Sequence, residues 1–486
     1  MIYSTYRAVV ETQKSQVIEE YYPPLETWFE IHVYPRSGGG VSVYFKDITD
    51  QKQKEAKLWQ TAHYDHLTGL PNRLYLYEEV KPKIKEGQST ALFFIDLNDF
   101  KMINDVCGHD TGDELLKDVA NRLQSLLPST FFVSRFGGDE FVILVPYLDD
   151  EQLEMDAERI AHVFHDPFWI QEINRFTVNV AIGISVFSKD GHDADELITK
   201  SDMAMYAAKK MKNTNWVYYQ EAMSTEWNRR LRLEKDLLQA MQRDELMPYF
   251  QPEIDTVIQG VLSMELLARW EHPELGFISP LEFIPIAEDS GQLKELMQGL
   301  IRKAVQELVS WQEKVQYQGM LSVNVTSQLI SEDSFCENLL RLKEEFHLAD
   351  GILELELTEN MQLFETPLIQ QKLRILQENG IRIAIDDFGS GYSNFSYISD
   401  FPIDKIKIDK SFTDYIEVSK RGEAVLDSLI LLSLRLGIDL VAEGVETEAQ
   451  VSYLQKRECM FMQGYYFARP MPAREAGDYL ESLFKN

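Results

Sequence analysis

The sequence predicts an α/β chain of several domains, on three observations. It has 486 residues, which at roughly 150 per domain suggests about three. Strand-like and helix-like segments alternate through most of it. Two charged, helix-like connectors, 51–63 and 220–245, divide it into regions 1–50, 64–219 and 246–486.

Composition narrows the function. Lysine and arginine number 48 and acidic residues 79, so 48 − 79 leaves −31 with histidines neutral. That charge repels a nucleic-acid backbone and anionic lipid, so neither is expected as a partner. With 44% hydrophobic and 26% charged residues the chain has a globular rather than disordered composition. No uncharged apolar run approaches the roughly 18 residues of a spanning helix. The best candidate, 429–442, is broken by Arg435 and Asp439. No basic stretch followed by an apolar one opens the sequence, so no signal peptide is expected. Cys107, Cys336 and Cys459 lie far apart with no CxxC pair, which fits free thiols in a reducing cytoplasm.

Taken in order, 28–34 (WFEIHVY) and 41–45 (VSVYF) read as a β-hairpin around a turn with three glycines. The polar stretch from Asp50 to about Ala62 reads as a helix. In the second region 91–95 (ALFFI) is a buried strand, 111–127 a helix, 131–134 and 141–145 a hairpin, and 176–186 a further strand. The third region holds eight β-like segments, mostly separated by helical patterns: 247–251, 262–270, 321–325, 352–357, 381–387, 404–409, 439–445 and 461–467. About 240 residues with eight strand–helix units is the size of a (β/α)8 barrel.

The strand ends of that region carry Glu265, Asn324, Glu356, Asp386 with Asp387, Lys407, Glu443 and Gln463. Barrel strand ends converge on one face, where active sites sit. Carboxylates gathered there repel unless cations lie between them. Carboxylates plus an amide, without histidine or cysteine, suit Mg2+ or Mn2+ rather than zinc. Two such ions roughly 3.5–4 Å apart serve in-line attack on a phosphodiester, and a lysine among them can orient the water. Read singly, each residue is an ordinary strand-end cap; seven strand ends together argue for a site.

These motifs resemble EAL domains, the cyclic di-GMP phosphodiesterase family. MELLARW (264–270) stands for its ExLxRW stretch, with Leu266 for the namesake alanine; SVNVT (322–326), LELTE (355–359), DDFGSGYSN (386–394), KIKIDKSF (405–412), VAEGVET (441–447) and QGYYFARP (463–470) follow in order. The resemblance implies a modified (β/α)8 TIM barrel with its first strand antiparallel. It implies one metal on Glu265, Asn324, Glu356 and Asp386, and a second metal and the water on Asp386, Asp387 and Glu443, with Lys407 assisting that water. Arg269 would meet a substrate phosphate, Gln251 and Gln463 would line the nucleotide site, and Glu359 would steady the 386–394 loop. Asn394 and Phe395 depart from a usual Ser-Leu, and Leu266 is large enough to crowd the strand end.

In the second region Asp96 ends a buried strand and Asp139 and Glu140 sit at a hairpin tip after Gly137 and Gly138, where a phosphate or base can approach the backbone. Asp96 and Asp139 could share a Mg2+. Asn104 and Asp113 flank a loop (INDVCGHDTGD) that opens a helix, and an amide with a carboxylate can read guanine. His109 reads as a loop hydrogen-bonder. DHLTGLPNR (65–73), DLNDFKMINDVCGHDTGD (96–113), RFGGDEF (135–141) and SDMAMYAAK (201–209) resemble GGDEF domains, the diguanylate cyclase family with a nucleotidyl-cyclase-like palm. The resemblance implies metal on Asp96, the Leu97 backbone and Asp139, guanine on Asn104 and Asp113, and GTP phosphates on Lys101 and Lys209. Three features depart from the family. PSTF (128–131) replaces the RxxD inhibition site, the 211–213 stretch replaces Gly-Arg-Asn, and Asn98 replaces a common aspartate. The first region, with its DIT exit at 47–49, resembles the C-terminal half of a PAS sensor domain, and the resemblance implies a partial PAS-like segment.

The expectation is a cytoplasmic cyclic di-GMP phosphodiesterase with two Mg2+ or Mn2+ ions per barrel. Its GGDEF domain would make cyclic di-GMP or bind Mg2+ with GTP as a regulator, and homodimerisation is expected. The alternatives are a net cyclase and a non-catalytic cyclic di-GMP receptor.

Overall fold

The computed structural model describes residues 2–98, 100–170, 174–211, 214–358, 367–389 and 403–484. The chain divides into two compact units, Met1–Ser224 and Thr225–Asn486.

The first unit opens with α1 (Ile2–Thr12), β1 (Gln16–Tyr22), β2 (Thr27–Pro35), β3 (Val41–Asp47) and α2 (Thr49–His63). The strands form an antiparallel sheet in the order β1-β2-β3. Val9 of α1 packs with Ile31 and Val33 in a small core. The expected hairpin and helix are present, but α1 and β1 extend them. In β1 the adjacent Glu19 and Glu20 blur the apolar alternation that marks a half-buried strand.

There follow α3 (Arg73–Lys85), β4 (Thr90–Leu97), α4 (Phe100–Cys107), α5 (His109–Leu126), β5 (Phe132–Gly137), β6 (Glu140–Pro146) and α6 (Asp150–His162). Then come β7 (Phe168–Ile170), β8 (Asn174–Phe176), β9 (Val180–Val186), α7 (Ala194–Lys209), β10 (Trp216–Tyr218) and α8 (Glu221–Gln242). The central sheet runs β10-β9-β4-β6-β5. β4 is buried throughout because alternate residues feed two cores. Phe93 and Ile95 face the side carrying α5 and α6, while Leu92 and Phe94 face α3 and α7. The predicted strand at 176–186 is split between β8 and β9, and the predicted loop at 103–113 is two helices broken at Gly108, whose φ is +86°.

The second unit continues with β11 (Leu246–Asp255), β12 (Gly260–His272), β13 (Gly276–Ile278), α9 (Pro280–Asp289), α10 (Leu293–Val315), β14 (Met320–Val325), α11 (Ser327–Ser331) and α12 (Asp333–Glu345). After these come β15 (Leu353–Thr358), α13 (Pro367–Glu378), β16 (Arg382–Phe388), β17 (Lys405–Ile408), α14 (Lys410–Thr413) and α15 (Lys420–Leu436). The chain finishes with β18 (Asp439–Ala442), α16 (Glu448–Gln455), β19 (Phe461–Met462), β20 (Met471–Pro472) and α17 (Ala473–Phe484). β12, β14, β15, β16, β17, β18 and β19 run parallel, and β11 closes the circle antiparallel to both β12 and β19. This is the modified (β/α)8 barrel with an antiparallel first strand. Leu233 and Leu237 of α8 join its outer core. The last predicted strand is shorter than its sequence suggests, with only Phe461 and Met462 in the ladder.

Gly183 of β9 sits where a Cβ would collide with the Ser201 carbonyl and the Met205 amide of α7, so only glycine lets helix and sheet approach this closely. Gly299 in α10 has open space around it. Gly183→Ala is therefore expected to destabilise the chain by about 3 kcal/mol through overpacking, and Gly299→Ala to stabilise it by about 0.5–1 kcal/mol through helix propensity. Denaturant unfolding of the two variants beside the parent checks both signs.

Candidate functional site

Strand alternation sends every second residue into the barrel, and the parallel strands deliver their last inward side chains to one end. Glu265 accepts hydrogen bonds from Asn324 Nδ2 at 2.7 Å and Gln463 Nε2 at 2.6 Å. Lys407 is fully buried, with its Nζ 2.8 Å from Glu443, 2.9 Å from Glu356, 3.3 Å from Glu265 and 3.8 Å from Asp386. Glu356 Oε1 and Gln463 Oε1 are buried and accept no hydrogen bond. The β16–β17 register shifts between Ile385 and Phe388, and Asp387 has a φ of +54°. That irregularity lets adjacent aspartates serve one site: Asp386, Asp387 and Glu443 each bring a carboxylate oxygen within 4.8 Å of the others. Gln251, Glu265, Asp386, Glu443 and Gln463 line a cavity of about 300 Å³ together with Lys410 and Tyr465. That volume lies within the range of small-molecule sites. Gln251 is held by a hydrogen bond to the Ala468 carbonyl, and Arg269 stands over the Tyr249 ring at 5.6 Å.

Leu266 does not crowd the mouth. It lies one residue from the inward Glu265, is 4% exposed, and packs in the outer core. Glu359 and the part of the DDFGSGYSN loop after Gly389 lie outside the described residues, as does the Lys101 side chain.

The electrostatics are those of an acid cluster short of cations. Burial pushes the Asp387 carboxyl from 3.8 to about 6, with Asp386 adding repulsion. Burial likewise pushes Glu443 from 4.5 to about 8, against the pull of Lys407. Glu356 is raised well above its ordinary value by burial, and Asp386 is raised for the same reason. Burial also acts on Glu265, but Lys407 and the two amide donors outweigh it and hold the carboxyl low. Burial opposes the charge on Lys407, yet Glu265, Glu356 and Glu443 keep it protonated far above the ordinary lysine range. The raised carboxyls and the orphaned oxygens fit hard divalent cations, which would replace protons as counter-charge.

Sequence reading missed three fully buried residues beneath this mouth, Glu253, Glu354 and Lys405. The signal was present in the paired spacing of Glu354 with Glu356 and Lys405 with Lys407.

In the first unit β4 and β6 place Asp96 beside Glu140 in register. Lys209 Nζ is 2.7 Å from Asp96 Oδ1. Burial, then Asp96, raises Asp139, and burial, then Asp202, raises Glu140 to about 7. Arg135 pairs with Asp65 at 2.8 Å and donates to the Gly138 carbonyl, which fixes the turn. A Cβ at Gly137 or Gly138 would meet nothing, so the tip is open to a ligand. Asn104 lies on α4 and Asp113 on α5, and a Cβ at the intervening Gly112 would strike the Asn104 side chain.

The class of protein is thus a tandem of an α/β palm-like domain and an acid-mouthed barrel. The EAL domain family matches residues 234–470, and the family described as "Diguanylate cyclase, GGDEF domain" matches 62–215. The chain is 35% identical over 446 residues to the signaling protein YkoW of Bacillus subtilis (strain 168), covering 90% of this chain and 56% of that protein. It is 31% identical to the cyclic di-GMP phosphodiesterase PdeR of Escherichia coli (strain K12), covering 90% of this chain and 67% of that one. A Vibrio cholerae LapD S helix-GGDEF-EAL structure bound to c-di-GMP shares the fold, with a TM-score of 0.55 at 20% identity over 85% of this chain and 98% of that chain. The chain belongs to the GGDEF–EAL tandem family. It spans little more than half the length of the first of these relatives. No helix among the described residues is long and apolar enough to cross a membrane.

Raised carboxyls make stability depend on pH with a defined sign. Glu443 and Asp387 keep protons in the folded chain that the unfolded chain has already released, so stability falls as pH rises through that gap. Without divalent cations the unfolding midpoint is expected to drop between about pH 4 and 6 for Asp387 and between about 4.5 and 8 for Glu443. Asp387→Asn and Glu443→Gln should each flatten their part of the profile relative to the parent, as measured by thermal unfolding with a chelator present.

Proposed function

We propose that this chain turns over cyclic di-GMP, with its barrel as a metal-dependent phosphodiesterase that yields linear pGpG. The carrying observation is the Lys407 ammonium within 4 Å of Glu265, Glu356, Asp386 and Glu443 at the mouth of the barrel. Glu265, Asn324, Glu356 and Asp386 would hold one Mg2+ or Mn2+, and Asp386, Asp387 and Glu443 a second. When bound, such ions supply a polarised water and neutralise phosphate charge. Lys407 would orient the attacking water and stabilise charge as it develops on the phosphoryl oxygens. Arg269 would contact the phosphate, Gln251 and Gln463 would position the nucleotide, and Glu359 would steady the DDFGSGYSN loop. One water is added across one P–O bond of the ring, which opens it.

The proposed division is a partial PAS-like segment at 1–50, a helical connector at 51–63, the GGDEF domain at 64–219, a helical linker at 220–245 and the EAL domain at 246–486. In the GGDEF domain Asp96, the Leu97 backbone and Asp139 would hold Mg2+ with GTP, Asn104 and Asp113 the guanine, and Lys101 and Lys209 the phosphates. Gly137 and Gly138 admit the nucleotide. Cyclisation needs two such sites facing each other, hence a homodimer, placed in the cytoplasm. The close fit of Asn104 against Gly112 supports a guanine-reading role for the α4–α5 pair.

Supplying cyclic di-GMP and GTP separately, with Mg2+ or Mn2+, tests this. Chromatography should detect pGpG from the first substrate, and Lys407→Met should lower kcat by about 100-fold or more. Asp139→Ala should remove any GTP turnover and leave hydrolysis intact. No pGpG with either ion rejects the reading, and saturable binding without product would make the chain a receptor.

A further inference from the structure

A second polar layer lies directly beneath the mouth. Glu354 stands two residues below Glu356, Lys405 two below Lys407, and Ser263 and Ser322 two below Glu265 and Asn324. On the antiparallel β11 the descent runs the other way, so Glu253 follows Gln251 and pairs with Ser263. Interior layers of such barrels are usually filled by branched apolar side chains. Here Glu253, Glu354 and Lys405 are each 0% exposed. Lys405 Nζ lies 2.7 Å from Glu253 Oε2 and 2.5 Å from Glu354 Oε1. Glu354 also accepts from Ser322 Oγ at 2.9 Å, and that hydroxyl meets Ser263 Oγ at 2.6 Å.

Stability alone does not account for this layer, since a buried ion pair is commonly no better than apolar side chains of like volume. Its connection upward does. Glu253 Oε1 accepts no hydrogen bond and faces Lys407 Nζ at 3.9 Å. The other carboxylates around that ammonium are Glu265, Glu356, Asp386 and Glu443, which are the residues proposed to hold ions. Glu253 lies below them, with its second oxygen engaged by Lys405. Cations at the mouth would draw the upper carboxylates and repel the lysine, but they leave Glu253 in place.

We infer that Glu253, Lys405 and Glu354 form a positioning layer, in which Glu253 is the counter-ion that holds Lys407 at the centre of the mouth when cations occupy it. This rests on the proposed hydrolysis for its catalytic consequence, and on geometry for the rest. Glu253 and Lys405 are positioning residues that act through Lys407.

The experiment uses the full chain with Glu253→Gln, and with Glu253→Leu, Lys405→Met and Glu354→Leu combined. Three readouts are taken: thermal unfolding, Mn2+ affinity of the metal-free protein by calorimetry, and pGpG formation. The triple variant should unfold close to the parent, because both ion pairs of Lys405 leave together and Arg382, which loses Glu354, keeps Asp439 at 2.6 Å. In both variants the Kd for Mn2+ should rise about threefold or more, since Lys407 then faces the ions without compensation. The kcat should fall about tenfold or more while KM for cyclic di-GMP moves less than about threefold. An Mn2+ affinity equal to the parent's in Glu253→Gln overturns the inference, as does a kcat loss that only follows a lowered unfolding midpoint. A parent that forms no pGpG rejects the proposed hydrolysis separately, and the Mn2+ arm still decides the layer.

Discussion

The barrel is organised around one buried ammonium. Lys407 has no contact with solvent, and five carboxylates lie within 4 Å of it. Counting Asp387 and Glu354, seven acids are gathered around the two fully buried lysines of the barrel, Lys405 and Lys407, among the described residues. Fully ionised, that set would carry 2 − 7 = −5, partly offset by Arg382, whose Nε is 3.3 Å from Glu354. A low-dielectric interior cannot hold such an excess. Protons, or cations at the mouth, have to supply the difference. The raised carboxyls of Glu356, Asp386, Asp387 and Glu443 are the proton solution to that constraint.

The direction of β11 matters to the same balance. In the parallel strands, walking toward the C-terminus climbs toward the mouth, so a polar residue followed by another two positions later runs from lower layer to upper. In β11 the order is reversed. Gln251, paired with Glu265, sits at the upper level and Glu253, paired with Ser263, below it. The strand that breaks the parallel pattern is thus the one whose lower carboxylate reaches Lys407, at 3.9 Å, while Glu354 on parallel β15 engages Lys405 instead.

Much of this was legible. The barrel and its polar strand ends follow from eight short segments and the polar residues closing them, and the hairpin of the palm from its GGDE tip. The antiparallel start, which the strand count alone does not reveal and the family resemblance implies, is legible in the spacing as well. Only residues 256–259 separate β11 from β12, far too few for a parallel crossover, which needs a dozen or more. The lower layer escaped because attention to the last polar residue of each strand ignores its neighbour two positions back. Leu266 teaches the same point: its size suggests crowding, but its parity turns it away from the mouth. β1 was hidden by two adjacent glutamates, since a strand at the edge of its sheet tolerates charge that a central one would not.

The two units solve the same electrostatic problem at different depths. Around Asp96, the acids Asp139 and Glu140 are raised by burial and mutual repulsion, and Lys209 offers a single ammonium from a side chain that is 41% exposed. In the barrel the corresponding ammonium is sealed inside. An exposed lysine can swing from a carboxylate to an arriving phosphate, whereas a buried one stays where its counter-ions hold it. The first arrangement suits binding a charged nucleotide, and the second suits fixing a water against a phosphorus atom. The chain's −31 charge sharpens the contrast, because the proposed anionic nucleotide would approach against the overall field. For the proposed reaction, local cations such as lysine, Arg269 or a metal would therefore have to reverse the sign of the potential within the few ångströms where capture would occur.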